Sequence, residues 1–208
     1  MRLNLRWRFN LGKSTMKSRI SEKDLRRFYR LLSVNMTDFD CGSICAPKNN
    51  GVPFCCENEY VAPILFHEEY RWHRMKGKFW KRASLKNKDI KKMVDESVSY
   101  YVYAQCPGPS QCSRTKRAIV CRTFPFEPQV CECGSVLGLV YIDSGSDNCE
   151  LIGKPQKIYN PQYIVNSITF WKELFALYPD ERDLYIDESK KRLRRLKRQG
   201  KKLKIFKP

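Results

Sequence analysis

A mixed α+β domain with short strands, flanking helices, abundant cysteine and a basic C-terminal tail is what this 208-residue sequence predicts. Three observations carry that expectation. Strand-like and helix-like periodicities alternate along the chain. All ten cysteines lie between positions 41 and 149, and positive charge gathers at the two ends. With 42% hydrophobic residues the chain can bury a core without disulfides to rescue a small fold.

Leu3, Leu5, Trp7, Phe9 and Leu11 alternate with Arg2, Asn4, Arg6, Arg8 and Asn10. That period of two predicts a half-buried strand with one basic face. Ser21 and Asp24 form a capping-box pattern ahead of Leu25, Phe28, Tyr29 and Leu32, one apolar stripe of an amphipathic helix. Residues 37–60 read as a loop, broken by Gly42, Pro47, Asn49-Asn50-Gly51 and Pro53. Helices are expected over 63–76 and 86–96. The β-branched and aromatic run from Ser97 to Ala104 predicts a strand that delivers Cys106. Ala118-Ile119-Val120 predicts another strand entering Cys121, and 135–142 a third. Asn160-Pro161 is a helix start, with proline at the first helical position. A last helix is expected from Asp187 or Ser189 through Leu193 and Leu196. The organisation that follows is a basic strand and helix extension (1–36), a cysteine-cluster domain (37–150), a helical C-terminal part (151–189) and a basic tail (190–208).

The cysteines have a pattern of their own. Cys41, Cys45, Cys55 and Cys56 form one cluster, and Cys106, Cys112 and Cys121 a second, with Cys149 following. Thiolates are soft anionic ligands, and four converging on one point suit zinc or an iron–sulfur cluster. An export signal would favour five disulfides instead, but the first residues lack an apolar stretch with a small-residue cleavage site. No run reaches the roughly 18 apolar residues of a membrane span. The expectation is a metal-binding domain in a reducing, cytoplasmic compartment.

These residues resemble the YkgJ-like cysteine-cluster family, described as zinc- or iron-chelating proteins with a CxxCxxCC signature. The segment Cys121-Arg122-Thr123-Phe124-Pro125-Phe126 is similar to the family's C-R-x-F-P stretch, and Cys149 sits where a further cysteine follows. The likeness covers about residues 37–150. It departs where nine residues separate Cys45 from Cys55, and where Val120 replaces a proline. The resemblance implies metal ligation by Cys41, Cys45, Cys55, Cys56, Cys106, Cys112, Cys121 and Cys149, as two four-thiolate sites or one 4Fe-4S cluster with spare thiols. An iron–sulfur cluster is favoured over zinc, with Phe39, Phe54, Tyr60, Phe124 and Phe126 either shielding it or serving as ordinary core. Flagellin lysine N-methylases share a similar arrangement, so transfer of a methyl group from S-adenosylmethionine to protein lysine is an alternative.

Arg122 directly follows a ligand candidate. It is expected to offset thiolate charge or to bind the carboxylate of a small ligand, with a salt bridge to Glu127 as the plainer role. Cys131 and Cys133 are a redox pair, extra ligands or idle strand-edge thiols. His67 and His73 lie six apart, off any common helical face, and read as surface or satisfied histidines. Glu68-Glu69 reads as part of a charged helix face. Nucleophile elbows, phosphate-binding glycine loops and zinc-protease signatures are missing, which leaves open whether the chain is an enzyme.

Forty basic residues against 22 acidic give a net charge of +18. Six basic side chains and no acid fall within residues 1–20, and eleven and no acid within 190–208. The middle is therefore almost neutral. Charge placed this way implies a polyanionic partner for the ends, RNA first, with an anionic membrane surface or an acidic protein as alternatives. Arg192, Arg194, Arg195, Lys197, Arg198, Lys201 and Lys202 are the candidate contacts. A zinc-stapled RNA-binding module is a further reading.

Overall fold

Ser21 begins the first helix as the sequence predicts. Its hydroxyl accepts from Asp24 N, the Asp24 carboxylate accepts from Ser21 N, and helix α1 runs Glu22–Leu31. Its apolar stripe, Leu25, Phe28, Tyr29 and Leu32, is buried. The computed structural model describes residues 20–56, 62–77, 79–86, 88–142 and 148–208. The alternating segment 2–11 lies outside them.

The described part of the predicted loop, residues 37–56, holds a short helix, α2 (Gly42–Cys45), and one-turn 3-10 segments, among them Phe54–Cys56. The helix expected over 63–76 is split. Ile64–Phe66 forms strand β1, and helix α3 occupies His67–Lys76. Strand β2 is Lys81–Arg82, helix α4 Lys88–Asp95 and strand β3 Tyr101–Gln105. These strands make an antiparallel sheet in the order β1-β3-β2, with Leu65 opposite Val102. Pairing with β3 is what draws Ile64–Phe66 out of the helix. As predicted, β3 leads straight into Cys106.

Ala118-Ile119-Val120 departs from its prediction, because residues Ile119–Thr123 form helix α5. The buried Glu69 carboxylate accepts the Ile119 N–H at 2.7 Å and so satisfies a free donor of the first turn. That tertiary bond outweighs the strand propensity of the β-branched pair. Strands β4 (Phe126–Val130) and β5 (Val136–Tyr141) then form a hairpin. The sequence signalled only the second.

Asn160 caps helix α6 (Pro161–Leu177) by accepting from Gln162 N at 2.9 Å. Helix α7 starts at Pro179, well before Asp187, and continues to Arg198. Pro179 takes the first helical position, and Asp180 with Glu181 favours the positive end of the helix dipole. The proposed boundary at residue 190 therefore falls inside a helix. Beyond it the chain turns back, and Phe206 bridges Leu139 through two backbone hydrogen bonds of 2.9 and 2.8 Å. Phe206 is fully buried among Phe126, Tyr141 and Tyr159. Gly138 makes room for this strap: a Cβ there would stand 2.5 Å from both Ile205 Cγ2 and Phe206 O.

The architecture is mixed helix and sheet, as expected. The main core joins α1, α6, α7, the hairpin and the returning chain. A smaller core of Leu65, Trp80, Ala104 and Ala118 lies under the three-stranded sheet. No helix among the described residues is long and apolar enough to cross a membrane.

Candidate functional site

Eight thiols are free, and four of them pack against one core or the other. Cys41 precedes α2 and Cys45 ends it; both Cys41 and Cys149 pack against the main core. Cys55 and Cys56 occupy a 3-10 turn with their sulfurs 4.0 Å apart. Cys106 leaves β3 and Cys121 sits in α5, both against the smaller core. Cys112 closes the turn Pro109–Gln111.

The ionisation of these groups shows which are neighbours. Burial, Asp40 and Cys149 push the Cys41 thiol above its ordinary value, and Cys149 in turn is raised by burial and then by Cys45. Those three form one set. Cys121 is pushed up to about 12 by burial and then by Cys56 and Cys112. A hydrogen bond between Cys106 and Cys112 raises the first thiol and, aided by Arg117, brings Cys112 down to about 6. The bond from Cys55 likewise lowers Cys56 against its burial, with Arg117 contributing. Cys55, Cys56, Cys106, Cys112 and Cys121 therefore form a second set around one guanidinium. Cys55 also lies within the electrostatic reach of Cys41, which joins the two sets. Burial opposes the charge on Arg117, and Cys112 with Cys56 outweighs it.

The first and second sequence clusters thus meet in space. Convergence on a single point is not reached, because no three histidine, cysteine or acidic side chains among the described residues are arranged to hold one metal ion. The set fits zinc or an iron–sulfur cluster in chemistry and number, and not in placement. Metal binding requires deprotonated thiols, and Cys112 and Cys56 are the two whose ionisation is eased.

Arg122 does not serve these sulfurs. Its Nε donates to Arg117 O at 2.9 Å, and its two terminal nitrogens donate to Leu32 O at 3.2 Å and Arg114 O at 2.6 Å. The guanidinium also lies over the Tyr29 ring, 4.5 Å from its centroid. It ties the thiol-bearing loop to the end of α1. Arg114 adds bonds to Ser33 O and Val34 O, at 3.1 and 2.6 Å. The Glu127 partner expected for Arg122 belongs instead to Arg192. Arg117 is the cation at the thiols, and its only sequence signal was the basic run Arg114-Thr115-Lys116-Arg117 between two cysteines.

Glu69 corrects another expectation. It is fully buried, not part of a charged face. The Tyr29 hydroxyl donates to Glu69 Oε1 at 2.6 Å, so the His73 Nε2–H, also 2.6 Å away, donates to that hydroxyl oxygen. Burial raises the Glu69 carboxyl to about 7 against its hydrogen bonds, and lowers His73 to about 4. His73 is thus a satisfied histidine, as expected. Of the aromatics, Phe126 packs with Phe206 in the main core, and Phe39 is exposed.

The basic tail also divides. Arg192 is buried, bonded to Gln129 Oε1 at 2.7 Å and paired with Glu127, so it is no contact for a polyanion. Arg194, Arg195, Lys197, Arg198, Lys201 and Lys202 are exposed. Cys131 and Cys133 form a disulfide across the β4–β5 turn. Neither a protein-family model, nor a curated protein, nor a solved structure matches this chain.

Proposed function

We propose that the chain is a cytoplasmic cysteine-cluster protein of the YkgJ-like kind that binds an iron–sulfur cluster, or zinc, through its free thiols. The observation that carries the reading is the gathering of eight free thiols, from separate segments, into two adjoining sets, with Arg117 beside Cys112, Cys56 and Cys121. A sulfur-only donor set selects zinc and iron–sulfur clusters over magnesium or calcium. Cys55, Cys56, Cys106, Cys112 and Cys121 would supply most ligands, and Arg117 would offset the negative charge of the thiolates. When bound, the metal would supply either an electron-transfer centre or a structural tie; the residues here only hold it and balance its charge.

Anaerobically purified protein should be brown, contain iron and acid-labile sulfide, and lose its colour with dithionite. Colourless protein with stoichiometric zinc selects the zinc form, and protein with neither metal sinks the proposal. Cys112→Ser and Cys121→Ser should each abolish metal retention.

The exposed cations of α7 and the residues after it support a polyanionic partner, with RNA favoured. Deleting residues 190–208 is the wrong test, since it removes buried Arg192 and Phe206. Replacing Arg194, Arg195, Lys197, Arg198, Lys201 and Lys202 by Gln should weaken RNA binding and flatten its salt dependence. Each lost phosphate contact lowers the log–log slope by about 0.7 on a single strand. An unchanged slope would remove the RNA assignment.

A further inference from the structure

The Cys131–Cys133 disulfide is a poor structural staple. It joins residues two apart, so it closes a very small loop and constrains the unfolded chain little. The turn is already fixed by Cys131 N donating to Ser135 O at 3.0 Å and Gly134 N to Cys131 O at 2.9 Å. Its two sulfurs are not equivalent. Cys133 is exposed, whereas Cys131 is half-buried and its Sγ accepts the Ser135 N–H at 3.2 Å. Helix α7 sets charges beside the turn: Lys190 pairs with Glu132 at 3.4 Å, and the Arg182 side chain, bonded to Asp183, lies against Gly134. In a reducing compartment, disulfides that persist tend to be catalytic or redox-sensing rather than structural.

We propose that this turn is a thiol–disulfide exchange site that oxidises a dithiol, with Cys133 as the sulfur attacked and Cys131 as the leaving group. A substrate thiolate attacks Cys133 Sγ, forming a mixed disulfide as the Cys131–Cys133 bond breaks. The electron pair leaves on Cys131 Sγ, where the Ser135 N–H receives the developing thiolate. The second thiolate of the same substrate attacks the substrate sulfur of the mixed disulfide, and Cys133 departs as a thiolate. The substrate leaves as a disulfide; two electrons and two protons stay on Cys131 and Cys133. The site uses none of the thiols assigned to metal, and of the proposed function it rests on the cytoplasmic location alone.

The test uses the full chain, titrated with dithiothreitol and separately with glutathione, then acid-quenched, alkylated and mapped by peptide mass. The Cys131–Cys133 bond should open reversibly, about tenfold faster than the disulfide of oxidised glutathione under the same dithiothreitol. With glutathione as a monothiol, the trapped adduct should sit on Cys133. A bond that opens no faster than oxidised glutathione overturns the exchange site, and an adduct on Cys131 overturns the assignment of the two sulfurs. The double variant Cys131→Ser/Cys133→Ser should lose the exchange and keep its metal content, whichever metal that proves to be. Loss of metal in that variant would overturn the independence of the two sites.

Discussion

The C-terminal body and the thiol-bearing loops of this molecule are held together by different means. The body, made of α6, α7, the hairpin and the returning chain, is a continuous packing of aromatic and aliphatic side chains. Into it are set one buried ion pair, Arg192 with Glu127, and one buried carboxylate, Glu181, which accepts from Tyr100 and Tyr101. The loops that carry the cysteines bury little apolar surface of their own. The one between β3 and α5 hangs from backbone carbonyls gripped by Arg114 and Arg122, and from the Trp80 indole, which donates to Lys116 O at 3.0 Å. The difference shows that arginine is structural in both regions for opposite reasons. In the body it is neutralised by a carboxylate, and in the loops it satisfies carbonyls that no strand partner reaches.

The sharpest way to break the body is to orphan its ion pair. Arg192→Ala leaves the Glu127 carboxylate buried without its cation, and about 4 kcal/mol of stability should disappear. A denaturant midpoint measures this, and the double replacement Arg192→Met/Glu127→Leu should recover most of the loss. If the single variant is as stable as the parent, Arg192 is a surface cation after all and rejoins the polyanion contacts. Next comes Phe206→Ala, which empties a fully buried site in an aromatic cluster and should cost about 3 kcal/mol. Its unfolding should begin with the chain after α7, seen as early loss of amide protection at Leu139 and Phe206.

The loops should respond differently. Arg122→Lys keeps the charge and loses the planar fork that reaches three carbonyls, so global stability should fall by about 2 kcal/mol. The more telling readout is local. Cys106 and Cys112 should alkylate faster in the variant, whereas Arg192→Met/Glu127→Leu leaves their rates alone. Equal acceleration in both would mean that body and loops open as one unit.

How much of this could be read beforehand follows the same division. The capping box at Ser21 and the start at Asn160-Pro161 were legible because local chemistry alone decides them. The strand expected at Ala118-Ile119-Val120 failed because Glu69, fifty positions away, supplies a helix cap that no local pattern encodes. Strand β4 was hidden by Pro128 and two polar residues, each of which finds a buried place. Glu127 finds its partner across the chain in Arg192. The gathering of the two cysteine clusters was legible from residue type and spacing. Arg117 was not, since one cation among three in a basic run is chosen by the fold. Arg122 misled for the converse reason: adjacency to a cysteine says nothing about where a long side chain finds its acceptors.

The smallest effect concerns the buried Tyr29, Glu69 and His73 cluster beside the thiols. Glu69 titrates near 4.5 when unfolded and about 7 when folded, so the folded state holds the extra proton between those values. Its contribution is complete below pH 4.5 and is lost as the pH rises to 7. His73 moves the other way, from 6.5 to about 4, so the unfolded state holds the extra proton and stability grows from pH 4 to 6.5. Between pH 4.5 and 6.5 the two slopes oppose each other, and the parent protein should be nearly flat with respect to this pair. Removing one group uncovers the other. Glu69→Gln should gain stability with rising pH by about 1 kcal/mol per unit, and His73→Gln should lose a similar amount. Urea midpoints at half-unit steps from pH 4.5 to 6.5 measure both slopes. Matching slopes of the same sign would mean that the two groups do not sit on opposite sides of one proton balance.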